Sequence, residues 1–130
     1  MKALVIDDDV IMRLTLRGML AGTAVSETIF ATDGSEGLKI LETVRPDIIL
    51  LDLGMPQMNG METLQRIRKD PALRRIPVVV VTASAEEEAI GELMAMGISD
   101  YLLKPLDPIV AAARVDRILR YQLTQNQLTE

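Results

Sequence analysis

The sequence predicts an α/β fold built on one parallel sheet, doubly wound, with helices on both faces. Three observations carry that expectation. Five short apolar runs alternate with segments of helical periodicity, the two central runs are apolar at every position, and polar residues gather just beyond the carboxyl ends of the runs.

The first run, residues 3–6, leads into Asp7-Asp8-Asp9. Met12, Leu16, Met19 and Leu20 then fall at i, i+4, i+7 and i+8, the stripe by which an amphipathic helix meets a core. The second run, residues 26–31, contains Glu27-Thr28-Ile29-Phe30 and is polar enough for a sheet edge. Asp33-Gly34-Ser35 is placed to open the next helix and Arg45-Pro46-Asp47 to end it. Residues 48–51 (Ile-Ile-Leu-Leu) and 78–81 (Val-Val-Val-Val) read as central strands, because a parallel strand covered on both faces has no polar side. A helix over about 86–96, with the acidic Glu86-Glu87-Glu88 in its first turn, stops at Gly97 before a fifth run at 101–103. Ala111, Val115, Ile118 and Leu119 mark a last core-facing helix. Right-handed crossovers between parallel strands put the helices on both faces and the ligand site at the strands' carboxyl ends.

Composition narrows the function. The 130 residues suit one domain with a core of its own, and 48% hydrophobic against 25% charged residues is a globular balance. With 2% aromatic residues and a net charge of −5, neither base-stacking platforms nor a phosphate-binding surface is expected, so direct nucleic-acid binding is excluded. Cysteine and histidine are absent, which removes disulfides, thiolate nucleophiles, the common zinc sites and any phosphohistidine on this chain. The longest apolar stretches, 76–81 and 48–51, fall far short of the roughly 20 residues of a bilayer span, and the chain opens directly into residues 3–6 with no room for a leader. The expectation is a soluble, cytoplasmic protein. The eight methionines, Met12, Met19, Met94 and Met96 among them, are expected to fill gaps in the core.

The residues just past the runs carry the chemistry: Asp7-Asp8-Asp9 after the first, Asp52 after the third, Thr82 after the fourth and Lys104-Pro105 after the fifth. Taken singly, the acidic triplet reads as a solvated turn or cap, Thr82 as a helix cap and Lys104-Pro105 as an exposed turn. Four strands delivering such groups to one edge is a different matter. Carboxylates a few ångströms apart repel one another and call for a cation, and an all-oxygen donor set favours Mg²⁺ with several waters. A carboxylate can accept a phosphoryl group when charge and in-line geometry are supplied around it. Lys104 and the metal would supply the charge, and the Thr82 hydroxyl a donor to a phosphoryl oxygen.

At this point the chain resembles the response-regulator receiver family, in LVIDDD, IILLDLGMPQMNG, VVVVTAS and DYLLKP, spread from residue 2 to about 120. Each fragment alone is common, but four in order at strand ends are specific. The resemblance implies a flavodoxin-like three-layer sandwich with strand order 2-1-3-4-5 and five helices. It makes Asp52 the phosphoacceptor, with Asp8, Asp52 and the Gly54 carbonyl as ligands of Mg²⁺ (or Mn²⁺ as substitute), Asp7 acting through metal-bound water and Asp9 outside the first shell. By the same resemblance Thr82 is the switch hydroxyl, Lys104 the phosphate-pairing cation and Tyr101 the aromatic that reports the state. Pro105 takes the family's cis-proline position, while Ala83 and Ser84 support the loop after Thr82. Met55-Pro56-Gln57-Met58-Asn59-Gly60 shapes the loop after the acceptor.

The implied function is a phosphoacceptor switch in a two-component phosphorelay. A sensor histidine kinase or phosphotransfer protein donates to Asp52, and the surface of the fourth helix, fifth strand and fifth helix changes for a downstream effector, with phosphorylation-dependent homodimerisation left open. The chain would catalyse its own phosphorylation and dephosphorylation and no other reaction. The alternative is a receiver-like interaction module that works without phosphorylation, a class that usually lacks one of the acidic, Thr or Lys positions, none of which is missing here. A phosphoester hydrolase would need a second Asp where Gly54 stands, and a nucleotide or flavin binder would need a glycine-rich loop where the acidic triplet stands. The resemblance places Gly54 and Ser84 at the two positions that tune dephosphorylation in the family, and their small size there implies an aspartyl phosphate of intermediate lifetime. The expected domain covers residues 1–121, with 122–130 as a polar tail or the start of a linker to an effector.

Overall fold

The computed structural model describes residues 1–55, 60–83 and 87–129. Five strands, β1 (Lys2–Ile6), β2 (Glu27–Ala31), β3 (Ile48–Asp52), β4 (Val78–Thr82) and β5 (Asp100–Leu103), alternate with five helices, α1 (Val10–Leu20), α2 (Gly34–Leu41), α3 (Gly60–Lys69), α4 (Glu87–Ala95) and α5 (Pro108–Thr129). All pairings are parallel and the order is β2-β1-β3-β4-β5, as expected. β3 is buried at every position, whereas the polar β2 lies at one edge, with only Ala31 buried.

Alternation along the strands splits the apolar side chains between two cores. On one face Leu4, Ile6, Ile49, Leu51, Val78 and Val80 meet Leu41 of α2, Leu64 and Ile67 of α3 and Leu93 of α4. On the other, Ala3, Val5, Ile48, Leu50, Val79 and Val81 meet Leu16, Met19 and Leu20 of α1 and Ala111, Val115 and Leu119 of α5. Burying each such aliphatic side chain contributes about 1.5–3 kcal/mol, and both layers depend on the same strands, so the sheet cannot slip without breaking both cores.

The helix ends follow local chemistry. Asp9 caps α1 by accepting from the Ile11 amide at 2.9 Å, and Asp33 caps α2 by accepting from the Glu36 amide at 2.8 Å. Gly97, at φ +82°, closes α4 in the left-handed conformation that glycine adopts without strain. Three expectations are corrected. α2 ends at Leu41, ahead of Arg45-Pro46-Asp47, because the Arg45 guanidinium donates back to the Leu41 carbonyl and satisfies the helix end early. Asp47 instead accepts from the Lys2 amide at 2.7 Å and ties the start of β1 to the approach of β3. Asp52 and Thr82 are the last residues of their strands and not the first beyond them, since Asp52 stays in register with Val81 and Thr82 with Leu103. Met94 is 48% exposed and no part of a core, because it sits on the outer side of α4, while Met19 is buried. α5 continues without a break to Thr129.

Gly60 begins α3 directly against the strand that ends in Asp52. A Cβ there would collide with the Asp52 carbonyl oxygen and lie 2.5 Å from the Leu53 Cα, both backbone atoms that cannot swing aside. Gly60→Ala is therefore expected to destabilise the protein by about 1–3 kcal/mol, seen as a lower urea midpoint with an unchanged slope.

Candidate functional site

Parallel strands that start in step also finish in step, and here the carboxyl ends of β1, β3, β4 and β5 share one edge. β1 hands over to Asp7, which is fully buried, and to the exposed Asp8; β3 ends in Asp52, 4% exposed. One carboxylate oxygen from each of these three residues lies within 4.8 Å of the others. Thr82, half-buried, ends β4, and its carbonyl accepts from the Lys104 amide at 2.9 Å, which carries Lys104 to the same edge. The Lys104–Pro105 peptide bond is cis.

Lys104 Nζ lies 3.2 Å from Asp52 Oδ1, and the Gly54 amide donates to the same oxygen at 3.0 Å. Asp7 Oδ1 accepts from the Asp9 amide at 2.9 Å, but its other oxygen, Oδ2, is buried with no hydrogen-bond partner among the described residues. Such an atom normally costs on the order of 1–3 kcal/mol. Burial pushes the Asp7 carboxyl up from 3.8 to about 6; the Asp9 amide opposes the shift, the Asp52 charge adds to it and Lys104 reduces it. Three carboxylates facing one ammonium, with an orphaned carboxylate oxygen among them, form an all-oxygen donor set that fits a hard divalent cation.

The sequence-derived residues thus converge, with exceptions. Asp9 is the α1 cap, outside the carboxylate group. Ala83 is exposed just past Thr82, and Pro105 is exposed beyond Lys104. Ser84 and residues 56–59, which include Pro56, Gln57, Met58 and Asn59, lie outside the described residues. Tyr101 is half-buried on β5, away from the carboxylates in sequence but joined to the edge through its strand.

Two groups escaped the sequence reading. Arg13 Nη1 donates to the Asp7 carbonyl at 2.8 Å, bringing a guanidinium beneath the acidic cluster. Arg114, on α5, donates to the Tyr101 carbonyl at 2.9 Å, and its guanidinium carbon lies 5.8 Å from the Tyr101 ring centroid. Arg114 also pairs at 3.8 Å with Asp100, a buried carboxylate that Arg117 approaches at 3.3 Å. Each of these arginines stands on the polar side of a helix, where a pairing role has no signature in sequence.

In metal-free solution the Asp7 carboxyl binds its proton more tightly folded than unfolded. The folded state therefore holds the extra proton between about pH 4 and about pH 6, and stability falls as pH rises through that interval before levelling off. Asp7→Asn cannot titrate, so its stability relative to wild type is expected to improve over the same interval by about 3 kcal/mol. Urea denaturation of both proteins in chelator across this pH range checks it; a difference independent of pH would contradict it.

The model of the response regulator receiver domain matches residues 3–116. The chain is 32% identical over 118 residues to the chemotaxis protein CheY of Pseudomonas aeruginosa, covering 91% of this chain and 95% of that protein. It is 36% identical over 125 residues to the DNA-binding transcriptional regulator NtrC of Klebsiella pneumoniae, covering 96% of this chain but 26% of that longer protein. Among solved structures, chemotaxis protein CheY4 of Vibrio cholerae superposes with a TM-score of 0.82 at 28% identity, over 90% of this chain and 97% of that one.

Proposed function

The chain belongs to the response regulator receiver family, and from that premise we propose that it is a phosphoacceptor switch in which Asp52 takes a phosphoryl group from the phosphohistidine of a sensor kinase or phosphotransfer protein. The observation that carries this reading is the convergence on the Asp52 carboxylate of Lys104 at 3.2 Å, the Gly54 amide at 3.0 Å and the neighbouring Asp7 and Asp8.

Both donors meet at Oδ1 and hold the carboxylate in one orientation, leaving Oδ2 for attack on phosphorus. An oxygen–phosphorus bond forms as the phosphorus–nitrogen bond to the donor imidazole breaks, and the imidazole leaves with its electron pair. Asp7, Asp8, Asp52 and the Gly54 carbonyl would hold Mg²⁺, with Mn²⁺ as a substitute; the bound ion supplies positive charge at the phosphoryl oxygens. Lys104 adds a second positive charge from the end of β5. Once the phosphoryl group is in place, the Thr82 hydroxyl donates to one of its oxygens, drawing in the loop that starts at Ala83 and Ser84. Pro105 turns the chain so that Lys104 faces the site. Tyr101, held on its strand by Arg114, is the reporter of that movement on the face formed by α4, β5 and α5, where an effector protein or domain docks.

In this reading the receiver unit is residues 1–121, residues 122–130 lead outward from it, and the chain works in the cytoplasm. It performs one covalent step on itself, with no turnover of a separate substrate. No helix among the described residues is long and apolar enough to cross a membrane.

Incubation with a small-molecule phosphodonor, followed by intact-mass measurement, is expected to give a gain of one phosphoryl group that requires Mg²⁺ and disappears in Asp52→Asn. A wild-type mass that does not change under any condition would overturn the proposal and favour an interaction module that works without phosphorylation.

A further inference from the structure

At the opposite end of the sheet, where β4 and β5 begin, a cleft of about 540 Å³ opens between the end of α3, the loop leading to β4 and the later turns of α5. Its volume falls within the range of small-molecule sites. Four arginines, Arg68, Arg74, Arg75 and Arg117, line it, and among the described residues no acidic one does. Arg68 donates to the carbonyls of Arg74 at 2.6 Å and Ile76 at 2.7 Å, which fixes the loop in place and orients it against the strand. These bonds leave its charge unneutralised: among the described residues no carboxylate pairs with Arg68, Arg74 or Arg75. Arg117 approaches Asp100, but that carboxylate is also held by Arg114 and does not depend on Arg117 alone.

This concentration of positive charge stands out in a chain of net charge −5, at the end of the sheet opposite the Asp7, Asp8 and Asp52 cluster. A polyanion would be repelled by the Asp7, Asp8 and Asp52 edge and drawn to this one. Guanidinium groups match phosphate oxygens with paired N–H donors, and they are less strongly hydrated than ammonium groups. The cleft also offers an apolar floor, Ile76 and Pro77, and a flat wall, since Tyr121 lines it and is 65% exposed. The lining continues past Tyr121 along α5 into a second hollow of about 420 Å³ bounded by Arg75, Gln125 and Asn126.

We propose that this cleft binds a nucleoside di- or triphosphate, with the phosphates on Arg74, Arg75 and Arg117 and the base against Tyr121. The glycine-rich loop that the chain lacks after β1 is not needed here, because side chains supply the donors. The site is independent of phosphoryl transfer at Asp52 and sits on α5 and the approach to β5. Its occupancy would draw Arg117 from Asp100, at the start of the strand that carries Tyr101.

The test is calorimetric titration of the whole chain with ATP and ADP in EDTA, which keeps metal from bridging the nucleotide to the acidic edge. Saturable binding is expected, weakened at least about tenfold in Arg75→Ala/Arg117→Ala and weakened in Tyr121→Ala, with circular dichroism unchanged in both variants. Inorganic tripolyphosphate is expected to bind more weakly than ATP. The proposal is overturned if neither nucleotide binds saturably, if the variants bind as wild type does, or if tripolyphosphate binds as tightly as ATP, which would leave the Tyr121 wall without a role.

Discussion

Everything at the working edge follows from crowding three carboxylates where the sheet ends. Asp7 and Asp52 are buried, and Asp8 stands within 4.8 Å of both through their nearest oxygens, so their mutual repulsion is felt where water screens it poorly. Lys104 balances one of the three charges. Burial first, and the Asp52 charge after it, raise the affinity of Asp7 for its proton, and the same burial leaves Oδ2 without a hydrogen-bond partner among the described residues. The three carboxylates form an all-oxygen donor set that fits a divalent cation, which would offset their repulsion.

The remainder of the fold makes that crowding possible. Two apolar layers share β1, β3 and β4, so the strands are locked in register and their last residues are delivered to the same place. The close seat of Gly60 against the Asp52 carbonyl brings α3 up against the end of β3. On the other side, the Lys104 amide bonded to the Thr82 carbonyl makes the position of the lysine a consequence of strand pairing. Arg114 then ties Tyr101, by ring and by carbonyl, to the helix that covers the same face. Asp52 is thus joined by contiguous contacts through β4 and β5 to α5.

Much of this was legible in the sequence, for physical reasons. Strands buried on both faces have no polar alternation, and Ile48-Ile49-Leu50-Leu51 and Val78-Val79-Val80-Val81 announce themselves; so does the pattern of acids, Thr and Lys that follows the strands. The family match over residues 3–116 and the observed strand order agree with the reading of fold and family. What was not legible depends on partners distant along the chain. The early end of α2 is set by a back-bonding Arg45, and the exposure of Met94 by which side of α4 the sheet covers. Arg13 and Arg114 have roles defined only by what lies across from them. The arginine cleft joins Arg68, Arg74 and Arg75 to an Arg117 some forty residues on, so no local window of sequence contains it.

If carboxylate crowding is the organising constraint, a divalent cation should stabilise the folded chain by binding it and not the unfolded one. The direct measurement is the thermal midpoint of the chelator-treated protein as Mg²⁺ is added into the millimolar range at constant ionic strength, for wild type and for Asp8→Asn. A saturable rise in wild type that is much smaller in the variant is the predicted result. A midpoint that Mg²⁺ leaves unmoved, or moves equally in both proteins, would contradict it.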